Sequence, residues 1–202
     1  MITIGLTGGI ACGKSTVSSI IAEMEIPTLD ADQVAREVVA PGSEGLTEIQ
    51  RQFGDDICLD NGELNRPKLR EIVLADSKKR KLLESITHPR IFMKMHEWQH
   101  TQERLGHPVV LVEAALMVET GSYKLYDAVI VTTCSATLQL SRLMARNQVS
   151  QQMAQQWIDS QMPISEKEAI ADVVIQNNGT LRELEIETQN AWNHLLSKVT
   201  SD

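Results

Sequence analysis

The sequence predicts an α/β protein in which helices cover both faces of a five-stranded parallel sheet. The first reason is the order of elements, because short apolar strands alternate with amphipathic helices along the 202 residues. The second is the N-terminus, where Ile2, Ile4 and Leu6 mark a buried strand. A glycine-rich loop and a helix follow that strand directly, as in the strand–loop–helix units of parallel sheets.

Residues 8–15 read Gly-Gly-Ile-Ala-Cys-Gly-Lys-Ser and match the phosphate-binding pattern G-x-x-x-x-G-K-[ST]. Glycines let the backbone wrap around a polyphosphate, so that successive N–H groups form an anion nest at a helix start. Lys14 offers a mobile cation to the β- and γ-phosphates, and Ser15 offers a hydroxyl to Mg²⁺. The loop therefore predicts a nucleotide site.

Two carboxylates, Asp30 and Asp32, follow a second predicted strand at residues 26–29. Ligands of open α/β sheets bind at the carboxyl ends of strands, which makes both residues candidates for chemistry. The alternative role is to cap the helix that follows. The two roles are compatible, with one residue capping and the other reacting.

The segment 41–106 shows helical periodicity and no strand pattern, so we interpret it as a substrate-binding insert between strands. Pro67 fits the first turn of one helix, and Ser77 begins another. The pair His88-Pro89 is predicted to interrupt that second helix. His88 is a possible site residue, although a lone histidine more often caps or packs.

Three further strands are predicted at residues 109–112, 128–133 and 173–175. The first of them ends in Glu113, which either helps to hold Mg²⁺ or is simply an acid at a strand end. Arg142 and Arg146 lie four residues apart on a later helix. They either clamp the transferring phosphate or form a solvated basic face.

The remaining helical signals lie between and after these strands. Residues 147–165 are polar and rich in glutamine, and are predicted to form a helical lid. Capping boxes are predicted at residues 165–168 and 180–183, the second of which starts the last helix.

Composition excludes several classes of protein. The chain has 27 acidic and 19 basic residues and a net charge of −8, which argues against a nucleic-acid partner. No stretch approaches the roughly 20 apolar residues of a membrane span, and the N-terminus lacks the basic region of a signal peptide. The three cysteines are widely spaced, which favours a reducing, cytoplasmic setting over a disulfide framework or a zinc site.

Cys12 lies inside the glycine-rich loop, beside Lys14 and close to a helix start. Such surroundings lower the pKa of a thiol and predict a reactive cysteine. The alternative is a small side chain that packs against the sheet.

Taken together, the motifs resemble those of the dephospho-coenzyme A kinases, a family of phosphate-loop nucleotide kinases. The resemblance covers nearly the full length of the chain. It rests on residues 6–10 leading into 13–16, residues 30–32 followed by Ala35-Arg36, His88-Pro89, residues 116–119, Arg142 with Arg146, and residues 172–179.

The resemblance implies a three-layer, P-loop nucleoside-kinase-like fold in a single domain. The core would comprise residues 1–40, 107–140 and 166–202, with a CoA-binding helical insert at 41–106 and a lid at 141–165. The implied reaction, the last step of CoA synthesis, phosphorylates the 3′-hydroxyl of dephospho-CoA with ATP and Mg²⁺ and gives CoA and ADP. We expect a monomer without nucleic-acid or membrane partners.

The resemblance also implies roles for individual residues. Asp32 would be the base or orienter of the hydroxyl, Lys14 would bridge phosphates, Arg142 would reach the transferring group, and adenine would lie near Asn177 and Gly179. Ser15 is the expected metal ligand. The residues expected to bind nucleotide are Gly9, Ala11, Cys12, Gly13, Lys14, Ser15, Thr16, Asn177 and Gly179.

Two positions depart from the family pattern. The family's loop usually has a Gly-Ser pair where this chain has Ala11-Cys12, and residues 113–117 read Glu-Ala-Ala-Leu-Met in place of Asp-x-Pro-Leu-Leu. The alternatives to the implied activity are a kinase for another small hydroxyl or nucleoside monophosphate, and an ATP-driven switch protein. A GTPase is disfavoured because the Asn-Lys-x-Asp and Asp-x-x-Gly motifs are missing.

Overall fold

The structure is a computed structural model that describes residues 1–199. The last three residues of the predicted core segment 166–202 therefore lie outside the described part. The described residues divide into two compact units, one made of residues 1–29 and 102–199 and the other of residues 30–101.

The first unit is built on a five-stranded parallel sheet, which confirms the predicted fold class. The strand order is β2-β3-β1-β4-β5, so the strand that precedes the glycine-rich loop lies at the centre. The parallel register pairs Leu6 with Glu113 on one side and with Ile130 on the other. The strands are Ile2–Gly8 (β1), Thr28–Asp30 (β2), Val109–Glu113 (β3), Ala128–Thr133 (β4) and Val173–Gln176 (β5).

Apolar side chains cover both faces of this sheet. On one face, Ile4 and Leu6 pack with the buried side of α1 (Lys14–Glu23) and with Trp192 of α9 (Leu181–Val199). On the other face, Val129 and Val131 pack with the segment after β3 and with α8 (Ile164–Glu168). Burial on both faces explains why the central strands read as apolar runs. The other helices of this unit are α6 (Ala136–Asn147) and α7 (Gln151–Asp159).

The second unit is helical, as predicted for this part of the chain. Its helices are α2 (Ala31–Glu37), α3 (Glu44–Phe53), α4 (Arg66–Ala75) and α5 (Ser77–Arg104), the last of which runs on into the first unit. Pro67 lies in the first turn of α4, as the sequence predicted, and Asn65 caps that helix by accepting a hydrogen bond from the N–H of Lys68.

The predicted break at His88-Pro89 is wrong, because α5 continues through Pro89. A proline inside a helix removes one N–H and costs about 3 kcal/mol. Two side chains offer local support by donating to carbonyls of this turn, the Arg90 guanidinium to Ile86 and the Thr87 hydroxyl to Leu83. With 28 residues, α5 also has several turns on each side of the proline, which hold its path.

The two predicted capping boxes have opposite outcomes. At Thr180 the backbone N–H donates to Glu183, whose own N–H donates to the Thr180 hydroxyl, so this box is confirmed. At residues 165–168 the prediction is wrong, because α8 already begins at Ile164 after Pro163. Pro163, with its φ fixed by the ring, is the residue before the first helical one, so the helix begins two residues before the start that a cap at Ser165 would give.

Among residues 1–199, none of the helices combines the length and the apolar character that a bilayer span needs.

Candidate active site at the phosphate loop

The loop between β1 and α1 places two residues in the left-handed region of backbone space. Cys12 donates its N–H to the carbonyl of Gly9 at 3.1 Å and closes a turn in which Ala11 has φ 59°. Gly13 follows with φ 95° and caps α1. Alternation of right- and left-handed residues turns successive N–H groups to one side, which is the geometry of an anion nest.

The N-terminus of α1 lacks the side-chain cap that α2, α3, α4, α6 and α7 have. Asp30, Ser43, Asn65, Ser135 and Ser150 each accept an N–H at the start of a helix. At α1, by contrast, Gly13 has no side chain to accept a bond, and the first turn carries no acidic residue. The N–H groups at this helix start are therefore left for an anionic ligand from outside the helix.

The Lys14 ammonium lies 2.9 Å from a carboxylate oxygen of Glu113 at the end of β3. Their side chains are only 18% and 11% exposed, so the pair forms in a largely desolvated position. The register of the sheet explains the contact, because β1 and β3 are neighbours and both end at the edge that carries the loop. Glu113 thus directly contacts the cation expected to bind phosphate.

Asn177 joins the end of β5 to the loop. Its side-chain amide donates to the carbonyl of Cys12 at 3.0 Å, in a buried position. Arg142 of α6 in turn donates to the backbone carbonyl of Asn177 at 2.9 Å and to its side-chain oxygen at 3.4 Å. Arg142 and Asn177, predicted as separate site residues, therefore form one hydrogen-bonded group behind the loop. Arg146 lies outside this group and bonds Asn147 on an exposed surface.

A side chain at Gly13 would be disfavoured both by the positive φ and by a clash with Asn177. Comparison with Gly106 separates these two costs. A Cβ at Gly13 would lie 2.2 Å from the Asn177 amide nitrogen, whereas a Cβ at Gly106, with a similar φ of 85°, would meet nothing within 4 Å. We expect Gly106→Ala to lower the free energy of unfolding by about 1–2 kcal/mol, through backbone strain alone. Gly13→Ala should cost about 1–3 kcal/mol more through the clash and should also weaken ATP binding. Urea unfolding and ATP titration of both variants test this, and equal losses would contradict it.

Two glutamines hold the backbone of Ile10 within the loop. Gln161, in the turn after α7, accepts the Ile10 N–H at 2.9 Å, and Gln139 of α6 donates to the Ile10 carbonyl at 3.0 Å. Neither glutamine was predicted as a site residue. Glutamine is common on polar helix surfaces, so neither position carries a signal that the sequence could reveal.

A buried cation supports the segment that follows β3. Lys167 of α8 is fully buried and contacts Glu119 at 2.7 Å, while it also donates to the carbonyl of Ala115 at 3.1 Å. Thr7 of β1 donates to the same carbonyl. Such a pair is costly to desolvate and contributes position more than stability. It holds the segment whose sequence departs from the family pattern.

The environment of Cys12 differs from the prediction of a thiol with a lowered pKa. Its side chain is 1% exposed, and its sulfur lies 3.2 Å from the sulfur of Cys134 just after β4. The hydrogen bond with Cys134 and then burial raise the pKa of Cys12. The pKa of Cys134 is lowered to about 7, because the hydrogen bond with Cys12 and the Arg142 guanidinium together favour its thiolate more than burial opposes it. Cys134, which is only half-buried, is therefore the more acidic thiol.

The Asn-Asn-Gly sequence after β5 has a structural basis in this unit. Asn178 accepts the N–H of Ser135 at 2.7 Å, which ties the start of α6 to the end of β5. A Cβ on Gly179 would lie 2.3 Å from the Glu183 carboxylate that closes the capping box at Thr180. The adenine contact expected for Asn177 and Gly179 stays a prediction.

Asp30 and Asp32 belong to the second unit, at the start of α2. Asp30 caps the helix by accepting the N–H groups of Asp32 at 2.8 Å and of Gln33 at 3.1 Å. This confirms that one carboxylate of the pair caps. Asp32 lies in the first turn of α2, and its role in the reaction stays a prediction.

Comparison with known proteins identifies the family. A family profile described as dephospho-CoA kinase matches residues 2–183. The chain is 46% identical to a dephospho-CoA kinase of Listeria monocytogenes over 179 residues, covering 89% of this chain and 90% of that protein. The chain belongs to the dephospho-CoA kinase family. This confirms the resemblance described above and makes the protein an ATP-dependent kinase.

Other dephospho-CoA kinases match over a similar length. The protein from Geobacter sulfurreducens is 44% identical over 189 residues, which cover 94% of this chain and 96% of the relative. The solved structure of a dephospho-CoA kinase from Campylobacter jejuni superposes with a TM-score of 0.69 at 29% identity, covering 96% of both chains. Nearly the whole chain therefore belongs to the family, including the insert.

The departure at Ala11 from the dephospho-CoA kinase pattern has a structural consequence. Ala11, at φ 59°, occupies the turn position at which the family usually has glycine. A left-handed non-glycine residue costs about 1–2 kcal/mol. The sequence pattern alone did not reveal this cost, because position 11 is not one of the two glycines that the loop motif specifies.

Proposed function

We propose that this protein transfers the γ-phosphate of ATP to the 3′-hydroxyl of dephospho-CoA and releases CoA and ADP. The proposal rests on the start of α1, which follows the glycine-rich loop, has no side-chain cap and includes Lys14 as its first residue. The chain also matches the dephospho-CoA kinase family from residue 2 to residue 183. The N–H groups of the loop and the Lys14 ammonium neutralise the phosphates, and positioning supplies most of the remaining rate.

Asp32 is the proposed base. The 3′-oxygen attacks the γ-phosphorus, the bond from that phosphorus to the bridging oxygen breaks, and ADP leaves with the electron pair. The proton of the 3′-hydroxyl passes to the Asp32 carboxylate. Asp30 has no such role in this proposal, because its side chain is occupied with the N–H groups of α2.

Mg²⁺ is the proposed metal, and the oxygen donors at the loop fit it. The Ser15 hydroxyl lies on the exposed side of the first turn of α1, and the Glu113 carboxylate lies at the loop edge of β3. Oxygen donors of this kind are the ligands that Mg²⁺ prefers. The metal would supply charge neutralisation on the phosphates. In this proposal Ser15 would ligate the metal, and Glu113, which contacts Lys14, would offer a further carboxylate oxygen to it.

The helical segment at residues 41–106 is the proposed binding region for dephospho-CoA, and residues 141–165 are the proposed lid. We also propose that the enzyme acts as a monomer in the cytoplasm, without nucleic-acid or membrane partners. These assignments follow the family resemblance and the acidic net charge of −8. The mass of the purified protein in solution, measured by light scattering, tests the proposed monomer.

An acceptor panel tests the proposed activity. ADP release is measured with ATP alone and with ATP plus dephospho-CoA, adenosine, AMP or shikimate. The proposal predicts rapid ADP release with dephospho-CoA alone among these additions. Release that needs no acceptor would instead indicate an ATPase switch, and release with AMP or adenosine would indicate a nucleotide or nucleoside kinase.

Substitution of Arg142 tests whether this residue acts on the transferring phosphate or serves ATP binding alone. If Arg142 acts on the transferring phosphate, Arg142→Ala lowers kcat by about 10²-fold while ATP affinity changes less. We expect this result, with some loss of affinity because Arg142 also supports Asn177. Arg146→Ala, which removes an exposed guanidinium one turn away, is the matched control and should change neither quantity. Equal losses in kcat and ATP affinity for Arg142→Ala would assign the residue to binding alone.

A further inference from the structure

The phosphate loop contains one half of a thiol pair whose sulfurs are already in contact. Cys12 lies between the turn at Ala11 and the cap at Gly13, and Cys134 follows the neighbouring strand β4. Their sulfurs are 3.2 Å apart, although 122 residues separate them in sequence. A disulfide bond needs a sulfur–sulfur distance of about 2.05 Å, so the two atoms would have to approach by only about 1.2 Å.

We propose that Cys134 is an oxidation site for hydroperoxides and that its oxidation leads to a disulfide with Cys12, which disables nucleotide binding. The proposal rests on the contact of the two sulfurs, on their difference in exposure and on the place of Cys12 in the loop. It concerns nucleotide binding and does not depend on the identity of the acceptor.

The two thiols are unequal in the way that such a reaction needs. Cys134 is half-buried, so a small oxidant reaches it from solvent, whereas Cys12 is 1% exposed. The guanidinium of Arg142 and the hydrogen bond with Cys12 favour the thiolate of Cys134. A thiolate is the form of cysteine that attacks a peroxide. Cys12 then lies beside the oxidised sulfur and resolves it.

The reaction balances without any other reagent. The Cys134 thiolate attacks one oxygen of the hydroperoxide, the O–O bond breaks, and an alkoxide or hydroxide leaves and takes up a proton. The resulting sulfenic acid is attacked by the sulfur of Cys12, the S–O bond breaks, and hydroxide leaves with the Cys12 proton as water. The two thiols lose two electrons, and the peroxide is reduced to an alcohol and water, or to two waters when it is hydrogen peroxide.

The disulfide would affect the loop through its backbone. Drawing the Cys12 sulfur toward β4 moves a residue whose carbonyl accepts the Asn177 amide and whose N–H closes the turn at Gly9. Those two bonds hold the backbone of the loop on either side of the Cys12 peptide. A nest binds anions only when its N–H groups converge, so a shift of this residue weakens the binding of ATP and of ADP alike.

The experiment treats the purified full chain with hydrogen peroxide and measures disulfide content and ADP affinity together. Trypsin releases Cys12 in the peptide 1–14 and Cys134 in the peptide 125–142, each with a single cysteine, so that a linked pair is identified by its mass. Isothermal titration with ADP reports the loop without using any acceptor. We expect the linked peptide to appear, ADP affinity to fall by about tenfold or more, and dithiothreitol to reverse both changes.

Variants of Cys134 decide the assignment. Cys134→Ser and Cys134→Ala should bind ADP as the parent does before treatment and should keep that affinity after peroxide. Cys58→Ser is the matched control and should respond as the parent does. Three results would overturn the proposal: no linked peptide, a linked peptide with unchanged ADP affinity, or a reversible loss of affinity in both Cys134 variants. Because ADP binding is the readout, a failure of the dephospho-CoA assignment would not affect the result.

Discussion

Lys14→Ala is expected to remove most phosphoryl transfer, by about 10²–10³-fold in kcat/KM for ATP. Lys14 supplies the cation of the loop. Its ammonium contacts Glu113 at the carboxyl end of β3, the strand that pairs with β1. Backbone N–H groups of the loop carry only partial charges, and the alanine leaves their number unchanged. The measurement is steady-state ADP release in the presence of dephospho-CoA.

The substitution at Lys14 also leaves Glu113 without its partner, so folding must be measured separately. The carboxylate of Glu113 is only 11% exposed, and an unpaired buried charge is destabilising. The double variant Lys14→Ala/Glu113→Ala removes both charges and should recover stability in urea without recovering activity. Lys198→Ala, at an exposed position near the end of α9, controls for the loss of a lysine as such. Near-parental turnover by folded Lys14→Ala would refute the role assigned to the loop.

Asp32→Asn is expected to lower kcat by about 10²–10⁴-fold, the range for general-base assistance, while ATP affinity changes only a few-fold. Asparagine has nearly the shape of aspartate but cannot take up the proton of the 3′-hydroxyl. Asp32 lies in the first turn of α2, next to the cap, so the substitution places no bulk in the helix. Single-turnover kinetics, combined with titration of ATP, separates the chemical step from binding.

Asp30→Asn is the matched control for Asp32→Asn. Asparagine is about as good an N-cap as aspartate, so the bonds from the N–H groups of Asp32 and Gln33 should be retained. We therefore expect Asp30→Asn to leave kcat and the free energy of unfolding close to those of the parent. If Asp30→Asn abolishes turnover and Asp32→Asn does not, the roles assigned to the two carboxylates are reversed.

The sequence predicted those features that depend on local chemistry. The apolar run of β1, the glycine-rich loop and the Thr180–Glu183 capping box all lie within a few residues of chain, and all three are confirmed. The break at Pro89 was predicted by the same local reasoning and is wrong. There, helix on both sides of the proline outweighed its local cost, and a rule based on residue type does not include that contribution.

The contacts that complete the candidate site join distant parts of the chain. The Gln161 side chain reaches the Ile10 N–H across 151 residues, and the Lys14–Glu113 pair spans 99. Glu113 had a signal, because it ends a buried strand that the sequence identified. Gln161 had none, because one glutamine in a glutamine-rich segment gives no periodicity and no motif. The strand order that brings such residues together is a property of the whole sheet.

Phosphorylation of the dephospho-CoA ribose is best tested by locating the new phosphate in the product. The thiol of the purified product is alkylated, the compound is treated with periodate, and its mass is measured. Dephospho-CoA has adjacent 2′- and 3′-hydroxyls, so periodate cleaves its ribose, whereas a phosphate on either of these two oxygens blocks cleavage. We expect a product that is heavier than dephospho-CoA by one phosphoryl group and resistant to periodate. A product that gains a phosphoryl group but is still cleaved, or a substrate recovered unchanged while ATP is consumed, would refute phosphorylation of the ribose.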